Sequence, residues 1–233
     1  IDKSRVFIWW AVGKMYEYLD GHWDINKDYD EISKKALLDM AKNAHTRHSK
    51  EATDIGTLVH SFVDQLIKAK LAKKEGPALP KNEIAKRACE KFIGWIDKHK
   101  VEFLFSEKKI VYWNPGVSPE EWYCGTTDFG CKINGKYFVG DLKTSTRIYL
   151  EAFLQTAAYQ YALETEFPSF KWDGNLIVRL GKDGSMNVGG LPRISERDEP
   201  IYDMCRKIYL HAYSLYRAKK EVDQYLKELD KDG

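Results

Sequence analysis

The stretch WYCGTTDFGCKINGKYFVGDLKT, residues Trp122 to Thr144, decides the fold. Two strand-like runs, Trp122 to Ile133 and Lys136 to Thr144, flank Asn134-Gly135, a pair that tolerates the positive φ values of a two-residue type I′ turn. A β-hairpin is predicted. With that turn Ile133 pairs with Lys136, and counting back along both strands sets Asp128 opposite Asp141. Carboxylates that face each other across a hairpin, roughly 5 Å apart at Cβ, repel, and a cation between them relieves the repulsion. Lys143 lies two residues beyond Asp141 and emerges on the same face, within reach of a phosphate oxygen or a water. Leu142 points the other way. Glycine inside a strand often marks an irregularity, so a bulge that shifts this register is expected near Gly130 if one exists.

Working outward, the pattern upstream of the hairpin has period two, with Phe103, Phe105, Glu107 and Lys109 predicted on one strand face and Leu104 and Ile110 on the other. Before that strand the spacing is helical over about Glu83 to His99, and the Gly76-Pro77 to Pro80 segment separates it from a helix running from Asp54 through Ile67. Ser4 to Tyr18 and Asp30 to Asn43 read as two further helices. Downstream, a helix over about Ile148 to Glu164 precedes a second hairpin, Asn175 to Leu180 and Ser185 to Val188, and Asp198 to Leu229 reads as a long helix. The predicted class is α/β, a mixed sheet covered by helices. A single domain over 1–233 is expected, with a helical cap over 1–100 and an α/β core over 101–233.

Hydrophobic residues make up 43% and charged residues 31% of the 233, the composition of a globular chain that buries a core. No run approaches the roughly 18 apolar residues of a membrane span, so a soluble protein without a membrane partner is expected. Cys89, Cys124, Cys131 and Cys205 form no C-x-x-C pair, which fits neither a zinc ribbon nor a disulfide framework, and a reduced, intracellular setting is expected. The net charge of +2 gives no global pull on nucleic acid. Leu66 to Ile110, however, holds 12 Lys/Arg against 6 Asp/Glu. Lys73, Lys74, Lys86, Arg87 and Lys91 are candidate phosphate contacts there, and a solvated helix face explains them equally well. Near the start, Phe7, Trp9, Trp10, Tyr16 and Tyr18 fit helix packing better than base stacking. His45 and His48 flank Arg47 on a stretch expected at the surface.

Four segments together carry a resemblance: Gly56 to His60 (GTLVH), Gly125 to Asp128 (GTTD), Gly140 to Ser145 (GDLKTS) and Gln155 to Tyr159 (QTAAY). In this order they are similar to the motifs of the RecB-type branch of the PD-(D/E)XK nucleases, and they span nearly half the chain. The resemblance implies a restriction-endonuclease-like core in which Asp128 and Asp141, with the main-chain carbonyl of Leu142, bind Mg²⁺ or Mn²⁺. Lys143 would activate or position the attacking water. His60 would be an additional metal ligand, and an imidazole biases the site toward Mn²⁺. Asp64, one turn further on the same helix face, is a candidate partner for that imidazole.

The same resemblance places Gln155 and Tyr159 beside the catalytic lysine or the DNA backbone, and it suggests Glu107 as an upstream acid completing the metal or water shell. Thr144 and Ser145 join the expected DNA contacts. The implied activity is metal-dependent hydrolysis of DNA, with an exonuclease on single-stranded or end-exposed DNA leaving 5′-phosphates favoured over a structure-specific endonuclease. A non-catalytic DNA-binding module is the alternative outside enzymology, and intact Asp128, Asp141 and Lys143 argue against it. CRISPR-associated members of this branch hold an iron–sulfur cluster on four cysteines, three of them near the C-terminus. Here only Cys205 lies beyond Cys131, so no such cluster is expected.

Overall fold

The computed structural model describes residues 3–24, 27–116, 119–189 and 199–229. The predicted helix start at Asp198 and the side chain of Phe7 lie outside the described residues. The helices are α1 (Lys3–His22), α2 (Glu31–Lys42), α3 (Ala44–Leu71), α4 (Glu83–His99), α5 (Leu150–Glu166) and α6 (Glu199–Leu229). The strands are β1 (Glu102–Tyr112), β2 (Tyr123–Ile133), β3 (Lys136–Lys143), β4 (Gly174–Leu180) and β5 (Met186–Gly189). No helix is long and apolar enough to cross a membrane among the described residues.

The strands form one five-stranded sheet in the order β1-β2-β3-β4-β5. Three neighbouring pairs are antiparallel and β3-β4 is parallel, so this is a mixed sheet flanked by helices. The parallel pair needs a crossover, which α5 supplies. β4 is buried at every position, as expected for a strand covered on both faces.

Local chemistry explains the element ends. Asp30 accepts from the Ser33 amide to cap α2, and Asn82 accepts from the Ile84 and Ala85 amides to cap α4. Asn134 and Gly135 have φ of 51° and 82°, the left-handed values a type I′ turn requires. The β2-β3 ladder runs in the predicted register, from Ile133↔Lys136 to Phe129↔Gly140. Gly130 is regular within it. A Cβ at Gly130 would come within 2.4 Å of the Phe105 ring, so the glycine makes room for an aromatic instead of a bulge.

The irregularity lies one strand away. The β1-β2 register shifts between Phe103 and Phe105, which corrects the predicted face assignment. The extra residue, Leu104, sends Phe103 against Phe129 and Phe92 while Phe105 packs against Trp172 on the other side. α3 also begins about ten residues before the predicted start, at Ala44, and takes in His45 and His48.

Two compact units divide within α3: Ile1–Thr57 and Leu58–Gly233. The expected boundary between helical cap and α/β core, near residue 100, is a division by function and not by compactness. In the first unit Trp10 meets the His45 and His48 rings edge-on, and Arg47 lies over the Tyr18 ring. The second unit carries the sheet. On one face Phe92 of α4 meets Phe129. On the other, Ile110, Tyr123, Val139 and Trp172 pack with Ala158, Tyr159 and Leu163 of α5.

Candidate active site

Alternation along β3 sets the site. Gly140 shares the α4 face with Phe129, whose ring occupies the space a Cβ would fill, so Asp141 and Lys143 project toward α5. Lys143 Nζ lies 3.0 Å from Asp141 Oδ1 and 2.7 Å from Oδ2. Only the contact to Oδ1 has hydrogen-bond geometry, and Oδ2 is buried without accepting a hydrogen bond. Lys143 also donates to Gln155 Oε1 at 3.0 Å, and Gln155 Nε2 donates to Tyr159 Oη at 2.7 Å. The i, i+4 pair on α5 therefore continues a chain that starts at Asp141.

Gly125 serves this chain from β2. A Cβ there would lie 2.6 Å from Tyr159 Cε1 and 2.8 Å from its hydroxyl, so only glycine lets Tyr159 approach the sheet this closely. Its spacing in sequence marks the glycine but not its partner.

Where the β2-β3 ladder ends, Asp128 turns its carboxylate onto β3, and Oδ2 accepts from the Leu142 amide at 2.5 Å. In a strand the N–H and C=O of one residue point to the same side, so the Leu142 carbonyl is directed toward β2. Asp128 Oδ1 lies 3.6 Å from His60 Nδ1. Ligand atoms of His60, Glu107 and Asp128 all lie within 4.8 Å of one another. This trio differs from the predicted ligand set by holding Glu107 rather than Asp141, whose carboxylate faces Lys143. Glu107 sits opposite Asp128, between the pairs Ser106↔Phe129 and Lys108↔Thr127, with φ of 47°. A left-handed glutamate inside a strand is costly, of order 1–3 kcal/mol, and such strain clusters at functional sites.

Asp64 corrects a second expectation. Its carboxylate accepts from Ser106 Oγ at 2.8 Å and from Lys68 Nζ at 2.8 Å, so it braces α3 against β1 rather than orienting His60.

The electrostatics are those of crowded acids. Burial and the nearby Asp128 push the Asp141 carboxyl up to about 6, partly opposed by Lys143. Burial raises Glu107 as well, with Asp128 and Asp64 adding to it. Burial alone would lower His60, but the Asp128 carboxylate 3.6 Å away and the charge of Asp141 carry it above the ordinary value. Tyr159 is raised, chiefly by burial. Three carboxylates and an imidazole around a single lysine form an oxygen-rich donor set with excess negative charge. That chemistry fits a hard divalent cation.

The predicted phosphate contacts are spread apart. Lys73, Lys74, Arg87 and Lys91 are exposed and Lys86 half-buried, 3.9 Å from Glu83. α4 covers the Phe129 face, whereas Asp141 and Lys143 belong to the α5 face. Thr144 and Ser145 directly follow Lys143, half-buried, and Ser145 Oγ donates to the Arg147 carbonyl at 2.7 Å. A residue the sequence reading missed is Arg179 on β4, buried and paired in register with Lys143.

No protein-family model matches the chain, and a comparison with curated proteins returned no match. Solved structures similar to it include SSO0001, with 13% identity and a TM-score of 0.33 over 67% of this chain and 74% of that one. Another, from Eubacterium rectale and named "Putative exonuclease", has 13% identity and a TM-score of 0.37 over 69% of this chain and 67% of that one. Likenesses this low add nothing to the argument from the site.

Proposed function

We propose that this chain is a divalent-metal-dependent nuclease that hydrolyses DNA phosphodiester bonds. The observation that carries the reading is the pairing of two things at one strand end. A buried carboxylate, Asp141, is held against a lysine, and its charge is felt by a His60–Glu107–Asp128 trio whose ligand atoms lie within 4.8 Å of one another. In the proposed site Asp128, His60 and Glu107 hold Mg²⁺ or Mn²⁺, with Asp141 and the Leu142 carbonyl completing the shell. A bound divalent cation supplies Lewis-acid polarisation of the phosphoryl group and a lowered pKa for water.

The chain's own groups do the rest. Lys143 cannot ligate a metal while charged, but its ammonium has three donors, of which Asp141 and Gln155 orient two. The third is free to meet a phosphate oxygen or the attacking water. Gln155, fixed in turn by Tyr159, keeps the ammonium from folding wholly onto Asp141. His60 enters from α3, so the part of this helix that belongs to the sheet unit helps to close the site.

The substrate we favour is single-stranded or end-exposed DNA, cut as an exonuclease to 5′-phosphate products. Incubation of linear and circular single-stranded DNA with Mn²⁺, with Mg²⁺ and with chelator tests the reading. Acid-soluble nucleotides released from the linear form alone, and lost with chelator, are expected. Cutting of circles would make it an endonuclease, and release that persists in chelator would remove the metal from the mechanism.

A further inference from the structure

Arg179 is a buried cation whose hydrogen bonds reach main-chain carbonyls and neutral side chains. Nη1 donates to the Ser145 carbonyl at 3.1 Å and to the Thr146 carbonyl at 3.0 Å. Nε donates to Asn187 Oδ1 at 3.1 Å, and Nη2 donates to the same atom and to Ser185 Oγ. The Ser185 hydroxyl passes the bond on to Asp183 at 2.6 Å. Gly181 leaves the necessary space, since a Cβ there would lie 2.3 Å from Asp183 Oδ1 and 2.5 Å from Arg179 Nη1. Burying a guanidinium is expensive unless its donors are satisfied, and here two of its bonds go to consecutive carbonyls of the turn that follows Lys143.

That clamp has a geometric consequence. In a trans peptide the carbonyl of one residue and the N–H of the next point in opposite directions. With the Ser145 and Thr146 carbonyls drawn inward onto Arg179, the Thr146 and Arg147 amides are turned outward. Successive outward amides form an anion-binding concavity. The exposed side chains around them suit the same ligand. Thr146 Oγ1 and Tyr149 Oη are 3.1 Å apart, and the Arg147 guanidinium lies 4.8 Å from the centre of the Tyr149 ring. Thr146 and Arg147 hold the Tyr149 hydroxyl below its usual range, and the charge of Glu151 opposes them.

We propose that the Thr146–Tyr149 turn binds a backbone phosphate of the DNA strand through the Thr146 and Arg147 amides and the Arg147 guanidinium, with Arg179 as the positioning residue that holds the turn open. This rests on the nuclease reading of the neighbouring Lys143. It assigns the strand-gripping role to the α5 face, beside the reacting atoms, and not to the basic run between Leu66 and Ile110.

The test uses the full chain in chelator, so that binding is read without cleavage, with a fluorescent oligothymidylate titrated by anisotropy at several salt concentrations. Arg147→Gln is expected to weaken binding several-fold and to flatten the slope of log K against log salt by about 0.7, the loss of one single-strand phosphate contact. Arg179→Lys keeps the charge but cannot span both carbonyls, and should flatten the slope to the same extent. The double variant should lose no more than either alone.

Two outcomes separate the failures. If wild-type protein cleaves DNA with Mn²⁺ while Arg147→Gln keeps the full affinity and slope, the turn is not a phosphate site and the nuclease reading stands. If wild type neither binds nor cleaves DNA, both fall. Arg179→Lys that lowers the melting temperature with the slope unchanged would make Arg179 a fold staple and overturn its positioning role.

Discussion

The Asp128 carboxylate accepts the Leu142 amide at 2.5 Å, at the point where the β2-β3 ladder stops. Beyond Phe129↔Gly140 the strands are held by side chains, for Thr127 Oγ1 also donates to the Gly140 carbonyl at 3.1 Å. Asp128 therefore pins the strand end with one oxygen and faces His60 with the other. Asp128→Asn retains an acceptor for the Leu142 amide, whereas Asp128→Ala strands it. Urea unfolding should show the alanine variant less stable than the asparagine variant by about 1–3 kcal/mol. Both should lose cleavage. Equal stabilities would mean that the bond to Leu142 contributes nothing.

Asp141→Asn separates charge from shape at the buried end of the Lys143 chain. Cleavage should fall by at least about 100-fold, the range expected when an electrostatic anchor of the reacting groups is removed. Metal-free stability should not fall, because the substitution removes a charge whose burial is unfavourable. Turnover at the wild-type rate in the purified variant would sink the proposed site.

The same residue sets a pH dependence. The folded Asp141 carboxyl titrates near 6, above its ordinary value, so the folded state holds a proton that the unfolded chain has released. Its stabilising contribution is fully present below about pH 4 and is lost as pH rises through about 6. His60 is also raised, and its contribution disappears at higher pH in the same direction. Metal-free wild type should lose stability between pH 4 and 6 relative to Asp141→Asn. Melting curves for the two proteins that stay parallel across this window would contradict the assignment.

Gly125→Ala tests whether Tyr159 positions Gln155 and, through it, Lys143. The added methyl meets the Tyr159 ring at 2.6 Å, and overpacking of this kind costs about 1–3 kcal/mol. The rate should fall while Mn²⁺ affinity holds. Adding Tyr159→Phe removes the hydroxyl that Gln155 reaches, so the double variant should be little slower than Gly125→Ala alone. Fully multiplicative losses in kcat would show that the glycine acts by another route.

The hairpin could be read from Asn134-Gly135 because a turn with two positive φ values admits few residues, and its register then brought Asp128 and Asp141 to one strand end. The i, i+4 spacing placed Gln155 and Tyr159 on one helix face, and Lys143 is where that face points. Side-chain competition was not legible. Asp64 could have met His60, but Ser106 and Lys68 lie 42 residues beyond it and one helical turn away, and they take its oxygens instead. The shift at Leu104 was hidden for a similar reason: alternating Phe103 and Phe105 look like one face unless Phe92 and Trp172 are known to wait on opposite sides. Arg179 sits in an apolar run, Gly174–Leu180, with nothing local to distinguish it from a surface-edge arginine.

The acids of the site predict how a metal changes stability. Asp128 and Glu107 face His60 within 4.8 Å, and Asp141 adds a third, buried carboxylate that a single lysine opposes. A cation that binds only the folded state stabilises it by mass action, about 2.7 kcal/mol at a hundredfold excess over Kd. Mn²⁺ should therefore raise the wild-type melting temperature, and Lys143→Ala should keep that rise while losing the rate, since the lysine meets phosphate or water rather than metal. Asp128→Asn combined with Asp141→Asn removes two of the three carboxylates together with their repulsion. The metal-free double variant should match or exceed wild type in stability, and its response to Mn²⁺ should vanish. A double variant that still gains the full wild-type shift would place the cation elsewhere on the chain, and the strand end at Asp128 would then be a pinned hairpin and nothing more.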